Sequence, residues 1–392
     1  MAKQRQSDER GIALVLAVFA LVVIGALVAG TFYAARMERS SGRSSVSSSQ
    51  AFGAAEYGLD VTVNPWAKAT YNGMATGTAN KLTSLNAVAV GTRGRNTTTV
   101  TKLNNQLFLV QSTGTQTDAS GNILARRVLS RLIRLDLETM PMKGAVTSGG
   151  NIIVGGSSTI DGYDAMPTGW AGSAANCDAL TAGKAGVAVS TGTTINYNGN
   201  AYSVTGTPAT TVDASITDAS FTNFVATTFA DMAANADIQL TLNASPSPGP
   251  IVTGISPSWT CNTGQLFPTN WGEPNVASPL SPCFAYFPII YAPGNLSVVG
   301  GRGQGVLLVD GNLTISGQFM FTGPVIVNGS IRSTGTGGHI TGALMVRDSA
   351  NLDNSMVSGN TDLQYSSCAV SRALSASATS KPLTQHSWSM DN

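Results

Sequence analysis

The sequence predicts an α+β protein. A long N-terminal hydrophobic helix leads into a small antiparallel sheet. A mainly-β body follows, whose C-terminal part resembles a right-handed parallel β-helix, or solenoid. Three observations carry this. Residues Ile12 to Ala35 contain no charge. Three β-prone runs between Thr97 and Glu138 are separated by turn residues. From Gly305 onward a glycine followed by an apolar run ending in valine recurs, with the glycines at 305, 323 and 342.

The apolar stretch is twenty-four residues long. At ~1.5 Å per residue it makes a helix of about 36 Å, enough to cross a ~30 Å hydrocarbon core with some tilt. The change from charged to apolar at Arg10-Gly11-Ile12 is abrupt. The run exceeds the ~7–15 residues of a cleaved secretory signal, so the helix is expected to stay with the protein. Lys3, Arg5 and Arg10 precede it and Arg36, Arg39 and Arg43 follow, so the positive-inside rule does not orient it. Beyond it, Met37, Val46, Phe52, Ala55 and Leu59 form a loose apolar stripe. The helix is therefore expected to continue as an amphipathic arm, although the Ser-rich composition and Gly42 weaken it.

The Arg10-Gly11 junction, the Leu14-Val15 start of the apolar run, and Ala54-Ala55-Glu56 ahead of Gly58-Leu59 together resemble the N-terminal domain of PilX-type minor pilins of type IV pili. The resemblance implies a leader of residues 1–11, cut by a prepilin peptidase after Gly11 so that Ile12 becomes the N-terminus. It implies a pilin-like transmembrane helix over 12–59 that packs against other pilins. It places the chain in the inner membrane as a single-pass protein with its body in the periplasm, and then in a pilus outside the cell. Most major pilins carry Glu at the fifth mature position, where this chain has Leu16. A carboxylate there would pair with a neighbouring N-terminal amine. Its absence resembles PilX-type proteins and the K-type tip pseudopilins, and implies a minor, priming or tip role.

At 392 residues the chain is long enough for two or three domains. Charged residues make up 11% and the formal charge is +1, falling to zero without residues 1–11. Nothing in this balance attracts a polyanion, so nucleic acid is not an expected partner. Cys177, Cys261, Cys283 and Cys368 all lie beyond the anchor. An even count in an exported body points to two disulfides with three pairings open, one of which closes a Pro-rich loop between Cys261 and Cys283. Their spacing does not suit a zinc site, and the only histidines are His339 and His386.

Residues 60–140 are expected to hold the antiparallel region. Asn104-Asn105 and Asp118 to Asn122 supply its turns. The third run, Ile123 to Glu138, is rich in Leu and Arg and has some helical character, but the turn before it favours a strand. The resemblance implies that this sheet packs on the pilin helix. Residues 141–370 are expected to form the solenoid-like domain, with a helical, Cys-containing insertion at about 165–290. Within that insertion Phe221, Phe224, Val225, Phe229 and Met232 share one helical face, capped by Asp218 or Ser220. Pro246, Pro248 and Pro250 end the helical pattern.

The repeat glycines are 18 and then 19 residues apart. Short strands at this period, with Asn or Gly at corners that need positive φ, are a solenoid signature. A sandwich of hairpins is the other arrangement that such spacing allows. The similar run Gly150 to Val154 is expected to be the first coil, with the insertion looping out after it. Residues 371–392 read as a flexible tail.

There is no phosphate loop, HExxH or GxSxG with a base. His339 and His386 are solitary in sequence. Asp161, Asp164, Asp310 and Asp348 lie near the coils, and turn formation explains Asp310 and Asp348. No catalytic residue, cofactor or metal is therefore expected, and the protein is not expected to be an enzyme. A PilX-type minor pilin is the favoured reading, with a body that meets a glycan or cell-surface target. A membrane-anchored solenoid scaffold and a surface polysaccharide enzyme are the alternatives.

Overall fold

The computed structural model describes residues 8–82, 93–104, 106–136, 140–170, 181–198, 201–225, 227–255, 258–275, 282–333, 338–348, 356–357, 361–383 and 388–391. Helix α1 (Asp8–Val63) runs unbroken for 56 residues. It starts inside the charged leader and extends past Leu59. From Leu14 to Phe32 its large apolar side chains are exposed. From Ala51 on, one face is buried through Ala51, Ala54, Ala55, Leu59, Thr62 and Val63, the spacing of a helix lying on a surface.

That surface is an antiparallel sheet. After the short helix α2 (Lys68–Tyr71) come β1 (Ala79–Leu82), β2 (Gly94–Lys102), β3 (Leu107–Thr117) and β4 (Ile123–Asp136), paired in chain order. Burial alternates along β2 and β3, and Val100, Phe108, Val110, Leu129 and Ile133 form the core with α1. The turns work through side chains. Asn104 Oδ1 accepts from the amides of Gln106 and Leu107, both at 2.8 Å. Asp118 Oδ1 accepts from the amides of Ser120 and Asn122, also at 2.8 Å. Asn122 Nδ2 also donates to Asp118 Oδ2 at 2.9 Å, and this bond first, with the amide bonds, holds the Asp118 carboxyl below the usual range.

The body is built of three-strand tiers. In chain order the first is β5 (Gly144–Ser148), β6 (Ile152–Gly155) and β7 (Thr159–Asp161), and the second is β8 (Ala185–Val189), β9 (Ile195–Asn198) and β10 (Ser203–Thr205), with β11 (Thr210–Val212) laid on β8. Next come α3 (Ala219–Thr222), α4 (Phe229–Ala234), β12 (Ile238–Gln239) and the hairpin β13 (Val252–Thr253) and β14 (Thr260–Cys261). The third tier is β15 (Ile289–Ala292), β16 (Leu296–Val299) and β17 (Arg302–Gln304). The last three are threaded through β18 (Val306–Val309), β19 (Leu313–Ser316), β20 (Phe319–Val327), β21 (Ile331–Ser333), β22 (Gly338–Val346), β23 (Met356–Val357) and β24 (Asp362–Tyr365).

All pairing between tiers is parallel. One ladder runs β15-β18-β20-β22-β5-β8, and a second runs β16-β19-β21-β23-β6-β9. A third runs β17-β20-β22-β24-β7-β10, using the other ends of β20 and β22. The tier containing Gly150 to Val154 is first in the chain but stacks on the last, since Leu344 pairs with Val146. The expected insertion also contains the second tier, so only part of residues 165–290 loops out.

The repeat glycines mark the bend between the third and first faces. Gly305, Gly323 and Gly342 have φ of 112°, 135° and 149°, a region that L side chains avoid. A Cβ on Gly323 would lie 2.0 Å from the Gly305 carbonyl oxygen, and one on Gly342 would lie 2.3 Å from that of Gly323. The apolar run after each glycine does not alternate because both of its faces are covered. β18 is buried throughout, and α5 (Ser367–Ser377) packs on β18, β20 and β22.

The corner asparagines do something other than expected. Among the described non-glycine residues only Asn243 and Gln318 have positive φ. Asn295 Oδ1 instead accepts from the Asn312 amide at 2.9 Å, and Asn312 Oδ1 accepts from the Ser330 amide at 2.8 Å. The side chains tie tier to tier where the backbone turns away from the ladder.

Two further expectations are corrected. The aromatic stripe is not one helix: α3 and α4 are separate, and Asn223 and Thr228 form an antiparallel bridge between them. Thr228, whose hydroxyl accepts from the Asp231 amide in a capping box, starts a new helix, and neither Asp218 nor Ser220 caps one by side chain. Val225 is 83% exposed and outside the core. The C-terminal segment is not a loose tail either. After α5, β25 (Thr379–Pro382) and β26 (Trp388–Asp391) both pair antiparallel with β4. The chain thus returns to the first sheet.

Candidate functional site

Two features stand out, the helix and an outer groove on the body. Along α1, Leu14 to Phe32 present large apolar side chains that pack on nothing, and Leu16 is 62% exposed. Such a surface is incompatible with water over this length and is long enough to cross a membrane. Arg10, Gly11 and Ile12 lie in the first turns of the same helix.

The lower half of α1 is seated by small residues. Ala54 and Ala55 are fully buried, whereas Glu56 is exposed. Gly114 of β3 comes so close that an added Cβ would lie 2.0 Å from the Ala51 carbonyl oxygen and 2.5 Å from the Ala55 nitrogen. Gly58 approaches Ser112 in the same way, with 2.3 Å from its added Cβ to the hydroxyl oxygen. The Ala-Ala-Glu motif is therefore a seam of close contact with one solvent-facing carboxylate.

Asn72 joins the two halves of the molecule. Its Nδ2 donates to the carbonyls of Ser375, Ala376 and Ala378 at 3.0, 2.9 and 3.0 Å, which closes the C-terminal end of α5. Its Oδ1 accepts from Trp66 Nε1 at 2.7 Å, and its backbone oxygen accepts from Lys102 Nζ at 2.7 Å. Lys102 is buried, which, together with the charge of Arg372, lowers its pKa to about 8.

On the third face of the tiers lies a groove of about 390 Å³. Parallel register puts Met320, His339 and Asp362 side by side on successive strands, and likewise Thr322, Thr341 and Gln364. His339 Nδ1 donates to Asp362 Oδ2 at 2.8 Å, and the Thr159 hydroxyl donates to Asp362 Oδ1. Pro167-Thr168 and Pro274-Asn275 form the walls.

The other acids near the tiers are used structurally. Asp161 accepts from the Tyr163 amide and the Thr205 hydroxyl, at 2.9 and 2.8 Å. Asp164 accepts from the amides of Thr181 and Ser367 at 2.7 and 2.8 Å, which pins the start of α5. Burial raises its pKa, but the bonds from Ser367 and Thr181 outweigh that and leave it lowered. Asp310 accepts from Asn328 Nδ2 at 2.9 Å, and Asp348 from the Ser330 hydroxyl at 3.4 Å. These acids do not converge on one site. Among the described residues no three His, Cys, Asp or Glu side chains are placed to hold a metal ion.

Cys261 and Cys283 form a disulfide, with 5.0 Å between their Cα atoms. Cys368 is also disulfide-bonded. Cys177 and His386 lie outside the described residues.

Sequence reasoning missed Gly114, Asn72 and the His339–Asp362 pair. Gly114 sits in a Ser/Thr-rich strand where glycine draws no attention. His339 and Asp362 are brought together only by tier register.

No family model matches this chain, and no curated protein does. Among solved structures, the competence-associated pilin ComZ from Thermus thermophilus is similar at 13% sequence identity and a TM-score of 0.27, over 88% of this chain and 97% of that one. A TM-score of this size does not establish a common fold.

Proposed function

We propose that this chain is a minor subunit of a type IV pilus, of the PilX type. The observation that carries the reading is the division of α1. One unbroken helix offers a bare apolar half and a half seated on an antiparallel sheet. The first half suits a membrane before assembly and neighbouring pilin helices afterwards. The second ties the body rigidly to it. On this reading a prepilin peptidase cuts between Gly11 and Ile12. Leu16 in place of a glutamate then fits a priming or tip position better than the bulk of a filament.

The parallel tiers are read as a short β-solenoid, displayed on the periplasmic side and then outside the cell as a binding surface, with no catalytic role. End-to-end polymerisation as a scaffold is disfavoured by the Pro-rich segment at one end of the stack. There Ala244 bridges Leu296 and the Pro248 carbonyl accepts from the Arg302 amide, and prolines have no N–H to extend a ladder. Shearing filaments from cells that carry an epitope-tagged chain tests the reading. The chain should be in the filament fraction, and Val22→Arg should remove it. Recovery only from membranes, with normal piliation after gene deletion, would overturn it.

A further inference from the structure

We propose that the groove on the third face is a binding site for a neutral oligosaccharide. The floor is a lattice of polar groups on strands ~4.8 Å apart. Its one carboxylate, Asp362, already accepts from His339 and Thr159, so it is not a free ligand for a cation, and no Lys or Arg among the described lining residues is there to hold an anion. What it offers is neutral chemistry. His339 donates through Nδ1, which leaves Nε2 for a ligand. Gln364 Nε2 donates to the Tyr163 and Tyr365 carbonyls at 2.6 and 3.2 Å, which leaves Oε1 as an acceptor. Thr341 adds a hydroxyl.

Met320, 40% exposed, supplies an apolar face for the C–H side of a sugar ring, while Pro167 and Pro274 are buried in the walls. A few polar groups converging beside an apolar face is a usual form of a small-ligand site. The ladder holds these groups in place, so little ordering is required on binding.

A peptide is a poorer fit. Peptides that add to sheets need a free strand edge, and β20, β22 and β24 are each paired on both sides here. The three strands from Met320 to Asp362 span roughly 10 Å at that spacing, about two sugar units, so affinity should rise with length and level off near three.

The proposal builds on the reading that the body faces outward. It is tested on the purified chain, so its failure is distinguishable from failure of the filament reading. The full chain, in a zwitterionic detergent without sugar headgroups, is applied to immobilised neutral gluco-, galacto- and N-acetylglucosamine oligosaccharides of one to six units. At least one series should bind with length-dependent affinity. Thr341→Val, which keeps shape and β-propensity, and His339→Ala should each weaken it about tenfold, as for one lost hydrogen bond. Asn328→Ala, beside α4 on another face, should not. No binding to any series, or equal binding by the Thr341 and His339 variants, would overturn the proposal. So would binding of extended peptides at this groove in place of sugars.

Discussion

Gly114→Ala should unseat α1. The added methyl would sit 2.0 Å from the Ala51 carbonyl oxygen, 2.5 Å from the Ala55 nitrogen and 3.0 Å from the Ala55 Cβ, whereas ordinary contact begins at 3.4 Å. Two of the three obstacles are helix backbone and cannot rotate away, so the helix or the strand must move. Overpacking alone costs ~1–3 kcal/mol. Displacement also thins the packing of Ala55, Leu59 and Val63 on Val100, Phe108 and Val110, which puts the total at the upper end, about 3 kcal/mol. Gly42→Ala provides the contrast. That residue is helical with nothing within 4 Å of an added Cβ, so the change should stabilise by about 0.5–1 kcal/mol. Hydrogen exchange of the full chain in detergent reads both. Amides of β2 to β4 should lose protection by roughly a hundredfold in Gly114→Ala, while Gly42→Ala leaves them at least as protected. Protection within about threefold of the parent in Gly114→Ala would refute the docking geometry.

Asn72→Ala should cost about 3 kcal/mol, because Trp66 Nε1 and the last carbonyls of α5 lose a buried partner. Urea unfolding followed by exchange in α5 checks it. Lys102 has its pKa lowered to about 8 in the fold against 10.5 for an unperturbed lysine, so between these values the unfolded chain binds more protons and stability rises with pH. Lys102→Met should flatten that rise, which melting temperatures across this window would show. Asn312→Ala should cost about 1–2 kcal/mol by orphaning the Ser330 amide, measured by thermal unfolding against Asn312→Asp, whose carboxylate keeps the acceptor.

The strongly periodic parts of the chain were legible. A charge-free stretch of this length already marked a helix long and apolar enough to cross a bilayer. The repeat of glycine and β-branched residues reported the tier spacing, because each glycine serves the same bend with the same steric demand. Tier order was not legible. Gly144 to Ser148 can pair with any equivalent strand, and only tertiary packing selects Gly338 to Val346 at the far end of the stack. The stripe from Phe221 to Met232 misled because burial at helical spacing is also met by two short helices joined by a bridge, and Thr228 prefers to start a helix rather than continue one. The tail misled because its polar residues pair with the exposed edge of β4, a partner more than two hundred residues earlier in the chain. The groove was hidden for the same reason: His339 and Asp362 are solitary in sequence and neighbours only across a ladder.

The central claim is that α1 is a pilin-type helix, and its mature N-terminus tests that most directly. The protein should be taken from membranes and from sheared surface filaments and its first residue read by mass spectrometry. An N-terminus at Ile12, with residues 1–11 gone and the helix retained, is the expected result. A chain that keeps Met1 through Gly11 in both fractions, or that starts beyond Ala35, would contradict it.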